Sequence, residues 1–132
     1  MPRRIVQRYT VITAASATQL TAALNVSEFR NVVITVGMTG PVNQKIFVKG
    51  AIGGSPPNFA ASRSRTNQWD YVEVVDLQDG TAIDGDTGIQ FTTTDVRFFE
   101  VNENVMDWIA LNVTAVVTAG LTNAQVALGT NE

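Results

Sequence analysis

The segment WIALNVTAVV, residues 108–117, alternates side-chain character without a break. Ile109, Leu111, Val113, Ala115 and Val117 share one side; Trp108, Ala110, Asn112 and Thr114 share the other. Period two marks extended backbone with one face on a core, because successive side chains of a strand point to opposite faces. The same period recurs along the chain. NVVITVGM sets Val32, Ile34, Val36 and Met38 on one side. KIFVKGAI sets Ile46, Val48 and Ile52 against Phe47 and Ala51. WDYVEVVDL sets Trp69, Tyr71, Glu73 and Val75 against Asp70, Val72, Val74 and Asp76, and reads as one strand. Near the N-terminus Ile5, Gln7, Tyr9, Val11 and Thr13 alternate with Val6, Arg8, Thr10 and Ile12, and AQVALGT closes the chain. Val, Ile, Thr and aromatic residues fill these runs, as pleated surfaces prefer.

Turn signals separate the runs: TGPVN at 39–43, QDG at 78–80, DGDTG at 84–88, TTTD at 92–95 and AGLTN at 119–123. Strands recurring about every ten residues, with no sustained helical period between them, predict an all-β antiparallel β-sandwich. The expected topology is jelly-roll-like; an immunoglobulin-like Greek key has the same strand lengths and stays open. ASATQLTAAL at 15–24 suits a short helix or a strand, and strand is favoured. VSEF at 26–29 reads as a single turn that tucks Phe29 under the sheet. Residues 1–132 are expected to form one domain, with 1–10 as an extended N-terminal arm.

The chain has no cysteine and no histidine. The first absence removes disulfide and thiol chemistry. The second removes the commonest general base and metal ligand, and with them the usual nucleophile–base pairs. Catalysis would have to run on Asp, Glu, Lys or Tyr, so a non-enzymatic role without a cofactor is expected. No apolar run approaches the roughly 20 residues of a membrane span. Arg3 and Arg4 followed by an apolar stretch mimic an export signal, but Gln7 and Arg8 interrupt it, so cytoplasmic synthesis is expected.

The charges are unevenly placed. Up to residue 65 there are eight basic residues and one acid, Glu28; beyond it there are eleven acids and one base, Arg97. Either the strands of the two halves interleave and the charges mix, or the surface is two-signed and docks on a copy of itself or on a charged lattice.

DLQDGTAIDGDTG, residues 76–88, holds four aspartates and three glycines. A calcium loop needs six to eight oxygens from closely spaced carboxylates and a closing Glu. Only Asp84 and Asp86 have such spacing, and the Glu is missing; Asp-Gly pairs are tight-turn dipeptides. Turns are the expectation, with Asp79, Asp84 and Asp86 as a weak cation site in reserve and no metal centre. GAIGG at 50–54 lacks the lysine and the strand–turn–helix context of a phosphate loop. Arg3, Arg4 and Arg8, and Arg63 with Arg65, form basic patches, yet a pI near 4.8 disfavours nucleic acid. The longest irregular stretch, GGSPPNFAASRSRTNQ at 53–68, is long enough to expect a function for it.

Residues 69–128 carry a further pattern: Trp69 before a strand, an Asp79-Gly80 turn, and an aromatic strand with Phe99 ending in Val101-Asn102. Then come Trp108 opening a long strand, a turn with Gly120, and a last short strand. This resembles small β-sandwich virion proteins of tailed bacteriophages. The Ser-x-Asp-Gly that usually precedes the Trp there is replaced by SRSRTNQ here. The resemblance implies a capsid decoration (cement) protein on the outer capsid surface of the virion, or a tail or head-fibre component. Its partners would be the major capsid protein and itself, as a small homo-oligomer (trimer or dimer), with no nucleic acid and no membrane. The expected contacts are the arm with Arg3, Arg4 and Arg8, the loop with Phe59, Arg63 and Arg65, and Trp108. A carbohydrate- or receptor-binding module using Trp69 or Trp108 is the alternative.

Overall fold

A computed structural model describes residues 4–40, 44–91, 93–101, 105–115 and 120–131. The expected positions Arg3, Asn102 and Val117 lie outside these residues. Eleven strands are present among them: β1 Arg4–Ala15, β2 Gln19–Leu20, β3 Leu24–Asn25, β4 Asn31–Thr39, β5 Gln44–Ala51, β6 Asp70–Tyr71, β7 Val74–Asp76, β8 Ala82–Ile83, β9 Asp95–Val101, β10 Trp108–Ala115 and β11 Leu121–Asn131. The described residues contain no helix.

The strands form two antiparallel sheets. One has the order β1-β11-β4-β9-β7-β8; the other has the order β2-β10-β5-β6, with β3 also on β10. The pairing is nested. The first strand lies on the last, the next short pair lies on β10, β4 lies on β9, and β5 lies on β6. That nesting is a long antiparallel ribbon wrapped over itself, which is the jelly roll and not the immunoglobulin-like alternative. β7 and β8 are a hairpin added beside β9.

One core fills the space between the sheets. Val32, Ile34, Val36 and Met38 of β4 meet Ile46 and Val48 of β5, Ile109, Leu111 and Val113 of β10, and Val126 and Leu128 of β11. These are the inward sets of period-two runs, so burial follows the pattern read from the sequence except at Ile52, which lies past the end of β5 and is 74% exposed. The stretch expected as one strand at 69–77 is two. Tyr71 ends β6 in one sheet and Val74 begins β7 in the other. The alternation continues through this corner because the inner faces of both sheets point at the same core: Val72 packs on it from one side and Val74 from the other. Residues 15–24 contribute only the short β2 and the start of β3. Phe29 donates its amide to the Val26 carbonyl at 3.1 Å and packs against the core, as the single turn required.

β1 corrects the expected arm. From Arg4 to Thr10 it pairs residue for residue with β11, Arg4 opposite Asn131 and Thr10 opposite Gln125. Two register shifts follow, between Thr10 and Ile12 and between Ile12 and Ala15, with Ala14 at φ 47°. The bulge changes the facing. Arg8, Thr10 and Ile12 share a parity in the sequence, yet Ile12 is buried while Arg8 and Thr10 stay outside.

At one end of the sandwich Gln44 joins three strands. It is fully buried, and its Nε2 donates to the Ala15 carbonyl at 2.7 Å and the Gly120 carbonyl at 2.9 Å. The Thr122 hydroxyl donates to its Oε1.

Candidate interaction surface

The two outer faces of the sandwich have different fates. On the outside of the β2-β10-β5-β6 sheet, the irregular segment 53–68 folds back over the strands. Phe59, Trp69, Ala51 and Ala110 form a second apolar cluster there, flanked by Leu20, Tyr71 and Trp108. Lys49 lies beneath the loop. Its Nζ donates to the Phe59 carbonyl at 2.8 Å and sits 4.3 Å from the centre of the Trp69 ring. Burial holds this amine below the ordinary lysine pKa. The Trp69 indole donates to the Ala61 carbonyl, 3.1 Å, and the Trp108 indole to the Gly53 carbonyl, 3.0 Å. Asn67 closes the loop on itself: it accepts from the Asn58 amide and donates to the Asn58 and Ser62 carbonyls.

This geometry revises several expected contacts. Phe59 is 4% exposed and serves the loop's own core, so its ring is not a surface contact. Arg63 pairs with Asp70 and lies over the Trp69 and Tyr71 rings. Arg65 is exposed. Trp108 is half-buried, and Trp69 at 8% exposure is too enclosed to be a sugar platform. The sequence signal for this sealing was present in the outward parity of Phe47, Ala51 and Ala110. An apolar outward set needs a cover, and the long loop at 53–68 supplies it.

The aspartate-rich stretch resolves into separate turns. Gly80 donates to the Asp76 carbonyl at 2.8 Å and Asp76 to the Thr81 carbonyl at 2.9 Å, which closes the β7–β8 hairpin with Gly80 at φ 74°. Asp84 accepts from the Thr87 and Gly88 amides through its carbonyl. Among the described residues no three of Asp, Glu, His or Cys gather in a metal-binding group. The cation near Asp79 belongs to the protein. Arg97, the single base of the acidic half, meets Asp76 at 2.7 Å, and Asp79 and Asp95 at 3.5 Å each. Asp79 therefore belongs with Arg97, apart from the turn that holds Asp84 and Asp86.

Asp79 yields a pH prediction. The Thr81 amide donates to its carboxylate at 2.9 Å, and Arg97 adds attraction, so its pKa lies below the ordinary 3.8. A carboxyl depressed in the folded state contributes stability above its unfolded pKa and loses it as pH falls through the folded value. Asp79→Asn is therefore expected to flatten the fall of the melting temperature below pH 3.8 and leave its shape above pH 5 unchanged. Parallel curves for the two proteins down to pH 2.5 would remove this linkage.

The outer face of the β1-β11-β4-β9-β7-β8 sheet has no such cover among the described residues. Cross-strand partners share a face, and the pairing runs in continuous rows. One row is Arg8, Ala127, Val33, Glu100, Val75 and Ala82. The next is Thr10, Gln125, Thr35 and Phe98. A third brings Asn123, Gly37 and Val96 together. Gly37, Thr35 and Gln125 floor a shallow depression of about 590 Å³ beside Val96. Val96 is 62% exposed, Phe98 52% and, at the start of the hairpin turn, Leu77 47%. Each is about half out of water, so covering all three is worth about 3 kcal/mol. Single exposed apolar residues are ordinary, but neighbouring ones on a flat sheet mark a contact surface. Sequence reading missed this face, because Val96 and Phe98 lie in a run whose alternation was not read.

The strand order also settles the charge question for this sheet. Arg8 stands on the β1 edge, while Asp95, Glu100, Asp76 and Asp79 stand on or beside β9 and β7. Arg97, itself on β9, pairs with Asp76, Asp79 and Asp95, so the signs mix on that side, and Arg8 and Glu100 are the opposite charges that face each other across the outer row.

No family model matches the chain, and no curated protein matches it. Among solved structures, the SPBc2 prophage-derived protein YomS is similar with a TM-score of 0.70 at 10% identity, over 98% of this chain and 96% of that one. A structure described as Bacillus endospore appendages that form a novel family of disulfide-linked pili aligns over 98% of this chain and 84% of its own. Its TM-score is 0.39 at 14% identity, too low to bear on the argument. What the first likeness establishes is a shared fold, the jelly roll that this chain has in common with a prophage-derived protein.

Proposed function

We propose that the chain is a non-enzymatic structural protein of a bacteriophage virion, a decoration protein that binds the major capsid protein lattice and braces it. The observation that carries this reading is the contrast between the faces. The chain seals one sheet with its own loop and leaves the other uncovered among the described residues, apolar in patches, with Arg8 on its β1 edge and Glu100 on β9. Such a surface binds protein by packing and charge matching, without a reaction centre. The open edge of β1 has no strand beside it among the described residues, and its backbone groups can accept a strand from a neighbour. The shared fold with a prophage-derived protein supports the phage context.

The test is immunogold labelling, with antibody to this chain, of purified particles from cells that carry its gene. Dense, regular gold on the heads is expected. Gold confined to tails or fibres, or absent from particles, would overturn the decoration reading.

A further inference from the structure

We propose that the bare face of the six-stranded sheet is covered by a second copy of the chain, in an isologous dimer about a twofold axis parallel to the strands. This deepens the reading above and rests on it only in taking the face as an interface. The motive is one row of the sheet. Arg8 on β1 and Glu100 on β9 share the outer face at opposite ends of the sequence Arg8, Ala127, Val33, Glu100. They stand three strands apart, about 14 Å. The ion pairs among the described residues involve other groups, so each retains its charge for a partner.

A twofold axis in the plane between two stacked sheets, running along the strands and passing between β11 and β4, reverses the order of strands and keeps the level along them. It sets Arg8 against Glu100 of the second copy, and Glu100 against Arg8. The same operation sets Ala127 against Val33 and lays Phe98 over Thr10. The face is thus complementary to itself, which an isologous contact requires. Aligned sheets cross at about 30°, which shifts groups about 7 Å from the axis by about 4 Å, within the span of an arginine side chain. Four strands at about 4.8 Å and eight residues at about 3.4 Å give an area near 520 Å² on each copy, at the low end of specific contacts and suited to a weak, reversible one.

The alternative self-contact, edge to edge through β1, is disfavoured by charge. Residues 4–15 contain Arg4 and Arg8 and no acid, so antiparallel pairing of two β1 strands gathers like charges. The face takes the second copy and leaves the backbone edge of β1 free for the shell.

The experiment is sedimentation equilibrium of the full chain from about 1 μM to 1 mM, with Arg8→Glu, Glu100→Arg and the double exchange. A monomer–dimer equilibrium is expected. Each single exchange opposes like charges and should raise the dissociation constant about tenfold or more, while the double exchange restores it to within about threefold. Added salt should weaken the parent dimer. Unchanged melting temperatures confirm that the variants fold, as expected for surface positions. A monomer at every concentration, a dimer indifferent to both single exchanges, or a double exchange that fails to restore association would each overturn the proposal. A strictly monomeric chain that still labels heads would sink the dimer alone; a dimer absent from particles would sink the virion role alone.

Discussion

Gln44→Leu is expected to lower unfolding stability by about 3–5 kcal/mol, a large part of the 5–15 kcal/mol of a typical domain. Leucine matches the size of glutamine but cannot hydrogen bond. The Ala15 and Gly120 carbonyls would lose their Nε2 donor, and the Thr122 hydroxyl its acceptor, all at a fully buried position. Each buried polar group left without its partner costs about 1–3 kcal/mol. The loss also disconnects the sheets, because Gln44 stands on β5 while its partners stand on or beside β1 and β11. Urea unfolding should show a lower midpoint with the same slope. A shift worth less than 1 kcal/mol would mean that water or a backbone adjustment satisfies these groups.

Gly88→Ala is the second large effect, expected at about 2–4 kcal/mol from two additive causes. Gly88 has φ +80°, where a side chain meets its own backbone. A Cβ there would also stand 2.8 Å from Cε1 of the Phe47 ring, which is held by its contact with Tyr71 at 5.5 Å between centroids. Gly80 is the internal control. Its φ is +74°, but a Cβ would meet nothing within 4 Å, so Gly80→Ala should cost only the backbone part, about 1–2 kcal/mol. Phe47→Leu in the Gly88→Ala background should recover part of the difference. Equal losses at the two glycines would show that the ring is not the obstacle.

The glycines of DLQDGTAIDGDTG thus serve backbone geometry. The aspartates near them split between turns and a single arginine. The cluster looked like one site in the sequence because proximity along the chain is visible there. Arg97 stands 18 residues beyond Asp79, and only the pairing of β9 with the β7–β8 hairpin brings them to 3.5 Å. Phe59 illustrates the opposite error. In a long polar loop it reads as an exposed anchor, yet an apolar outward set on β5 and β10 draws it inward.

By itself the sequence determined the strand content, the inward side chains and most turns. Those follow from local rules: pleated backbone alternates its side chains, and Gly and Asp suit tight bends. It also determined that histidine and cysteine chemistry is unavailable. Only the tertiary structure decided which strands are neighbours, that the run through Tyr71 and Val74 changes sheets, and that a bulge in β1 turns Ile12 inward. It alone decided which outer face is sealed and which is bare. Period two has the same form in every sandwich, since both sheets aim their inner faces at one core. Strand order, and the placing of Arg8 across the sheet from Glu100, arises from contacts between residues far apart in the chain.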